Sequence, residues 1–291
     1  MSDTILCVDL GGTKALVAQV DEQGVKEKHY FDVDSHLTKQ QMNQFLYRII
    51  DHVIEKHCKG IVVGVPSMVL QPTGVVIETI NIPHWYDVPL KTLLENRFNL
   101  PVLIHNDANC FAMGEYKYSQ VNPDDNLVGV CIGTGLGAGL ILNEQLYTGK
   151  HSAAGEFGSF PYLDGIIEDY TSGQFFKNQQ TTGRAAYNHA LNGDTQSLRL
   201  FTQLGQHLAH AINQVILAFN PDKVVLGGSV AQSHALFMPA LKSELALLVQ
   251  PIIMQSLQIT ISELGDNAPL LGGYELFQLA ASETNLLEQA S

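Results

Sequence analysis

The chain has 291 residues, 45% of them hydrophobic and 15% charged, a balance that excludes a disordered or fibrous protein. That length exceeds one average domain and predicts about two. The formal charge of −13 repels phosphates and no basic patch offsets it, so no nucleic-acid partner is expected.

No run of residues approaches the ~18 uninterrupted apolar positions of a spanning helix, which argues against a membrane partner. Met1-Ser2-Asp3-Thr4 lacks the basic and apolar regions of a secretory signal, so a cytoplasmic location is expected. Cys7, Cys58, Cys110 and Cys131 are far apart and lack C-x-x-C spacing, and read as reduced thiols, most of them buried.

The apolar run Thr4 to Val8, the break Asp9-Leu10-Gly11-Gly12-Thr13-Lys14 and the run Ala15 to Val20 predict a strand, a glycine turn and a second strand. A third strand is predicted near Val25 to Val33. The segment Leu37 to His57 carries Phe45, Leu46, Ile49, Ile50, Val53 and Ile54 at helical spacing. Gly60 to Val65 and Pro101 to Asn106 read as buried strands, the latter leading into a helix over Ala108 to Tyr118. Pro83, Trp85 and Pro89 mark an irregular segment between them.

A second half begins near residue 108 and repeats the opening device. Asn126 to Ile132, then Gly133-Thr134-Gly135-Leu136-Gly137, then Ala138 to Leu142 form a second glycine-broken hairpin. Two such hairpins, each leading one half, predict a duplicated α/β domain: a lobe over 1–107, completed by a C-terminal helix over 270–291, and a second lobe over 108–269, with a cleft between. Leu204 to Phe219 reads as a helix, Val224 to Leu226 as a short strand entering the corner Gly227-Gly228-Ser229, and Leu270 to Ala281 as a helix whose Gly272 and Gly273 imply close packing or ligand approach. The polar tail after Thr284 is expected to fray.

Glycine turns let backbone N–H groups approach a phosphate, and Thr13, Lys14 and Thr134 add donors. Neither turn has the Walker pattern or opens a helix, so nucleotide-binding motifs of those kinds are disfavoured. Asp9 reads either as a turn-initiating residue or, beside a phosphate, as a ligand of hydrated Mg²⁺. Asp107 reads either as a helix N-cap or as a general base. Asn81, Asn106, Glu156 and Glu168 are the acceptor types a polyhydroxylated ligand needs, though each alone also suits an exposed surface. Trp85 suits either sugar stacking or a buried anchor.

Together these motifs resemble the ROK family of sugar kinases, within the actin/hexokinase/Hsp70-like ATPases. Asp9 to Lys14 is similar to its first phosphate motif, His105-Asn106-Asp107-Ala108-Asn109 to its catalytic segment, and Gly133 to Gly139 to its second phosphate motif. Gly155-Glu156-Phe157-Gly158 resembles its sugar-contact motif and Leu226-Gly227-Gly228-Ser229 its adenosine-side corner. The resemblance implies a two-lobed actin-like ATPase fold of the ribonuclease H-like kind, with ATP and sugar in the interlobe cleft. It implies phosphoryl transfer from ATP with Mg²⁺ to a hexose hydroxyl, most simply at C6, with Asp107 as base and Asn81, Asn106, Glu156, Ser159 and Glu168 around the sugar. Glucose is the first expectation, N-acetylglucosamine, N-acetylmannosamine and fructose the alternatives. Homodimers are common among relatives.

The chain also departs from the family. A histidine that contacts sugar and often ligates zinc is replaced by Ser159, and Phe160 to Ile167 lacks the usual cysteines, so no zinc is expected. Two rival readings follow from the same resemblance. One is a sugar-responsive regulator, opposed by the charge and by a first motif that begins at Asp9, leaving no room for a preceding DNA-binding module; the other is a non-catalytic sugar-binding protein.

Overall fold

The structure, a computed structural model, describes residues 3–79 and 81–290, the side chains of 283–290 excepted. The last helix runs to Ala290, past Thr284, after which fraying was expected. In chain order the first half contains β1 (Thr4–Leu10), β2 (Lys14–Asp21), β3 (Gly24–Val25), β4 (His29–Asp32), α1 (Lys39–Val53), β5 (Cys58–Val65), β6 (Val69–Leu70), β7 (Val75–Val76), α2 (Leu90–Phe98), β8 (Val102–Asn106) and α3 (Asp107–Tyr118). There follow β9 (Leu127–Ile132), β10 (Leu136–Leu142), β11 (Gln145–Leu146), β12 (Pro161–Tyr162), β13 (Gly165–Ile166), α4 (Ile167–Thr171), α5 (Gly173–Asn178), α6 (Gly183–Leu191) and α7 (Thr195–Phe219). The chain continues through β14 (Lys223–Gly227), α8 (His234–Leu248), α9 (Pro251–Ser256), β15 (Gln258–Ile261) and α10 (Asn267–Ala290).

These elements pack into two units, Met1–Gln120 with Leu146–Ala154 and Asp266–Ser291, and Val121–Gln145 with Gly155–Gly265. In the first, the sheet order is β3-β2-β1-β5-β8, with β4 also on β2; β1 and β2 are antiparallel, while β1, β5 and β8 run parallel. In the second the order is β11-β10-β9-β14-β15, with β9 and β10 antiparallel and β9, β14 and β15 parallel. Each unit therefore begins with an antiparallel hairpin and adds two parallel strands to the hairpin's first strand, which is the duplication expected from the two glycine breaks.

The apolar stripe of α1 buries Met42, Phe45, Leu46, Ile49, Ile50 and Val53 in the first core. Its start is Lys39 rather than Leu37, because Thr38 and Gln41 close a reciprocal capping box. The third strand is broken into β3 and β4 around Lys26, whose ammonium turns back to Asp21 at 2.8 Å. Helix α7 begins nine residues ahead of the expected start at Leu204, burying Leu200 and Phe201 as well, and is capped by Asp194, which accepts from the Ser197 N–H. The chain leaves the first unit after Gln120, not at 108, because α3 packs on α10. That contact explains Gly272: a Cβ there would lie 1.8 Å from the Cys110 carbonyl oxygen, so close helix packing, not ligand approach, requires glycine.

Candidate functional site

In the first unit, parallel strands β1, β5 and β8 align Asp9, Gly64 and His105 as neighbours across the sheet. Asp9 and the pair Asn106-Asp107 thus stand at the carboxyl ends of parallel strands, where open α/β sheets present ligand-binding groups. The turn after Asp9 is tight: Gly11 donates its N–H to the Lys14 carbonyl at 2.8 Å, and the Thr13 and Lys14 side chains are exposed. Gly12 abuts Asn81, whose Cβ would lie 2.6 Å from a Cβ at Gly12.

At the end of β8, Asn106 rather than Asp107 is the cap of α3. Its Oδ1 accepts the Asn109 N–H at 3.0 Å while its amide donates to the Ser67 carbonyl at 3.3 Å. Asp107 is the first helical residue, and its Oδ1 accepts the Ala108 N–H at 2.8 Å. The reason is geometric: Asn106 keeps the extended backbone of the strand end, which is the conformation a cap requires. Behind this pair His105 is buried; its Nδ1 accepts the Asn106 N–H at 3.0 Å, and burial lowers its pKa to about 4. Trp85 is fully buried and donates its indole N–H to Asn43 at 2.8 Å, so it is an anchor of the core and is not presented for stacking.

Asp266, which sequence reasoning did not single out, stands close enough to act on Asp9. Burial first, and the Asp266 charge second, push the Asp9 pKa up to about 7. A carboxylate held at such cost is stabilised by a cation, and oxygen donors suit Mg²⁺, so these residues fit a hydrated Mg²⁺. Only the turn character of Gly265-Asp266-Asn267 marked this residue in the sequence.

In the second unit, Gly133 donates to the Gly135 carbonyl at 2.9 Å, and the turn is stitched to the start of α5: Gly173 donates to the Gly133 carbonyl at 2.8 Å, and the Ser172 hydroxyl to that of Thr134 at 3.1 Å. Glu168 Oε2 accepts the Leu136 N–H at 2.8 Å directly beside Gly135. Gly155, with φ of +99°, lies against the Ala138 carbonyl, where a Cβ would come within 1.9 Å of the oxygen. This brings Glu156 alongside β10. Its carboxyl is raised by desolvation first and by the Glu168 charge second, so the two carboxylates sense each other. Ser159 is exposed and donates its backbone N–H to the Glu156 carbonyl at 3.2 Å. Across the sheet Cys131 is flanked by Gly137 and Gly227, and Val230 donates to the Ile132 carbonyl at 2.9 Å, which folds Gly228 and Ser229 onto the end of β9.

The candidate residues therefore form two groups, one in each unit. Asp9, Gly11, Gly12, Thr13, Lys14, Asn81, Asn106 and Asp107 belong to the first, the remainder to the second. Among the described residues no group of three or more His, Cys, Asp or Glu side chains is arranged to hold a metal by itself, and no helix is long and apolar enough to cross a membrane.

A hairpin-led sheet repeated in two units, each with a glycine turn at its first hairpin, is the mixed α/β architecture of the actin-like ATPase sugar kinases. The family model described as "ROK family" matches residues 5–280, and the chain belongs to that family. It is 30% identical over 230 residues to the xylose repressor of Bacillus subtilis, a match covering 73% of this chain but 59% of the repressor, so the chain spans less than two thirds of that relative. It is 25% identical over 305 residues to the glucokinase of Halalkalibacterium halodurans, covering 91% of this chain and 92% of that protein. A solved ROK family glucokinase from Streptomyces griseus, in complex with glucose and AMPPNP, superposes with a TM-score of 0.84 at 24% identity over 94% of this chain and 98% of that one.

Proposed function

We propose that this chain is an ATP-dependent sugar kinase that phosphorylates a hexose at C6, with glucose as the first substrate and N-acetylglucosamine, N-acetylmannosamine and fructose as alternatives. The observation that carries the reading is the placement of Asp107: a carboxylate at the first position of α3, oriented by the Ala108 N–H at 2.8 Å, just past the end of the strand whose His105 shares a cross-sheet row with Asp9. That arrangement combines a fixed proton acceptor with a phosphate turn and a cation-seeking carboxylate.

In the proposed reaction Asp107 accepts the proton of the C6 hydroxyl as O6 bonds to the γ-phosphorus and the bond from that phosphorus to the ADP oxygen breaks. The glycine turns at Gly11-Gly12 and Gly133 to Gly137, with Thr13, Lys14 and Thr134, hold phosphates through backbone and side-chain donors, and Gly227 to Ser229 receive the adenosine. Asp9 would hold a hydrated Mg²⁺, which would supply neutralisation of the phosphate charge. Asn106 has one amide N–H and one lone pair left after its two protein hydrogen bonds, which suits a sugar hydroxyl. Glu156 and Glu168 accept hydrogen bonds from further hydroxyls, which offset the desolvation and, secondarily, the Glu168 charge that raise Glu156. Asn81 and Ser159 complete the sugar contacts. A cytoplasmic location fits a substrate set of this kind.

A coupled ADP-release assay over glucose, mannose, fructose and the N-acetylhexosamines, on wild type and Asp107→Asn, tests the reading. The 30% identity to a xylose repressor favours a second one, a sugar-responsive protein without turnover. Sugar binding by calorimetry with no release of ADP from ATP in the presence of any sugar would support that second reading.

A further inference from the structure

We infer that Tyr162 and His207 are positioning residues that set the place of Glu168 on the second glycine turn; the inference rests on the proposed role of Glu168 as a sugar ligand. Glu168 sits in α4, a helix of five residues. A helix so short has no stability of its own, so its place is set by what holds its two sides. On one side are the turn contacts already described, through Ser172, Gly173 and the Glu168 carboxylate itself. On the other is the β12–β13 hairpin and a cluster of rings on α7.

The centre of that cluster is Tyr162 at the hairpin tip. Its hydroxyl lies 3.1 Å from His207 Nδ1, and its ring meets those of Tyr170 at 5.4 Å, His207 at 5.7 Å and His210 at 5.5 Å. Tyr170, two residues after Glu168, also packs on His207 with centroids 5.1 Å apart, and its hydroxyl donates to Asp164 in the hairpin turn. Asp169, next to Glu168, accepts the Ile166 N–H at 3.0 Å and closes the hairpin onto the helix. Thus both neighbours of the Glu168 turn are tied to the hairpin, and the hairpin is tied to α7 through Tyr162 and His207. Phe175 covers His207 from α5, at 5.9 Å.

The bond between Tyr162 and His207 is a specific one. Desolvation first, and the nearby His210 second, lower the His207 pKa, which keeps the ring neutral with Nδ1 able to accept the Tyr162 hydroxyl. His210 is in turn 3.6 Å from Glu244 on α8. Tyr162 on β12 and His207 on α7 are both partly buried.

The test uses Tyr162→Phe, His207→Leu and His207→Gln in the full chain, the last retaining an acceptor for the tyrosine hydroxyl. Hydrogen exchange of the Leu136 amide reports the Glu168 carboxylate directly and needs no activity. Tyr162→Phe and His207→Leu are expected to speed Leu136 exchange and raise the sugar KM, each about fivefold to tenfold as for one lost hydrogen bond. The ATP KM and kcat at saturating sugar should stay within about twofold, and His207→Gln should recover most of the loss. Unchanged Leu136 exchange overturns the inference, as does a rise in exchange spread evenly over the second unit with both KM values rising together. Faster Leu136 exchange with an unchanged sugar KM supports the clamp and removes Glu168 from the sugar site, which separates failure of the functional reading from failure of the inference.

Discussion

Leu136 donates its backbone N–H to Glu168 Oε2 at 2.8 Å, so one carboxylate is bonded to the strand that leaves the second glycine turn. Gly135 lies beneath that bond, and a Cβ there would meet Glu168 Oε2 at 2.4 Å. Gly135→Val should therefore do more than crowd a phosphate: it should displace Glu168 and raise the KM for both ATP and sugar, with kcat/KM falling about tenfold or more. Steady-state kinetics with each substrate varied checks this. An unchanged sugar KM would separate Glu168 from the turn.

The pH dependence of stability should isolate Asp9. Its carboxyl rises from 3.8 to about 7 on folding, through burial and then the Asp266 charge, so between those values the folded chain holds a proton that the unfolded chain releases, and stability falls as pH rises. His105 acts in the opposite sense: burial lowers it from 6.5 to about 4, the unfolded chain binds the proton first, and stability rises with pH across that window. Asp9→Asn should then be more stable than wild type at pH 7.5 by about 1–3 kcal/mol in the absence of nucleotide and Mg²⁺, with the difference vanishing near pH 4. Thermal unfolding of both proteins from pH 4 to 8 measures it; equal stability at pH 7.5 contradicts the assignment.

Folding and turnover are expected to proceed without zinc. The segment Phe160 to Ile167 offers no thiolate, and the hairpin it forms is held to α7 by rings and a tyrosine–histidine hydrogen bond instead. Structural zinc contributes several kcal/mol to folding. Elemental analysis after purification and unfolding with and without a strong chelator decide the matter; stoichiometric retained zinc, or loss of the fold on chelation, contradicts it.

Specificity at C2 of the sugar should be loose, because Ser159 is short and exposed where the family resemblance places a histidine. Ser159→His should sharpen discrimination among glucose, 2-deoxyglucose, mannose and N-acetylglucosamine, changing kcat/KM ratios about fivefold to a hundredfold, the range of one gained polar contact. Ratios that do not move would remove Ser159 from the sugar's surroundings.

Much of this was legible in the sequence where local pattern and tertiary fate agree. The hairpins around Gly11-Gly12 and Gly133 to Gly137 showed because apolar, β-rich runs flank a glycine break, and α1 because its buried stripe repeats at helical spacing. The start of α7 was not read: Thr195 to Ser197 is polar, and the Asp194 cap marks it ahead of the apolar Leu198, Leu200 and Phe201. Asp107 was read as the possible cap of α3, but the extended backbone at Asn106 gives the cap to Asn106 instead. Asp266 acts on Asp9 from the opposite end of the chain, a proximity no local pattern encodes. The β12–β13 hairpin was not read from the sequence, because its strands are only two residues each, and Tyr162 and His207 meet only once α7 is in place.

The most direct measurement is single-turnover phosphoryl transfer by wild type and Asp107→Asn, with sugar binding followed separately by calorimetry. The expected result is transfer to a hexose by wild type, a loss of about 10²–10⁴-fold in the variant, and a sugar Kd within about threefold of wild type, because only the proton acceptor has been removed. Near wild-type transfer by Asp107→Asn, or a wild type that binds sugar and releases no ADP, would contradict the proposal.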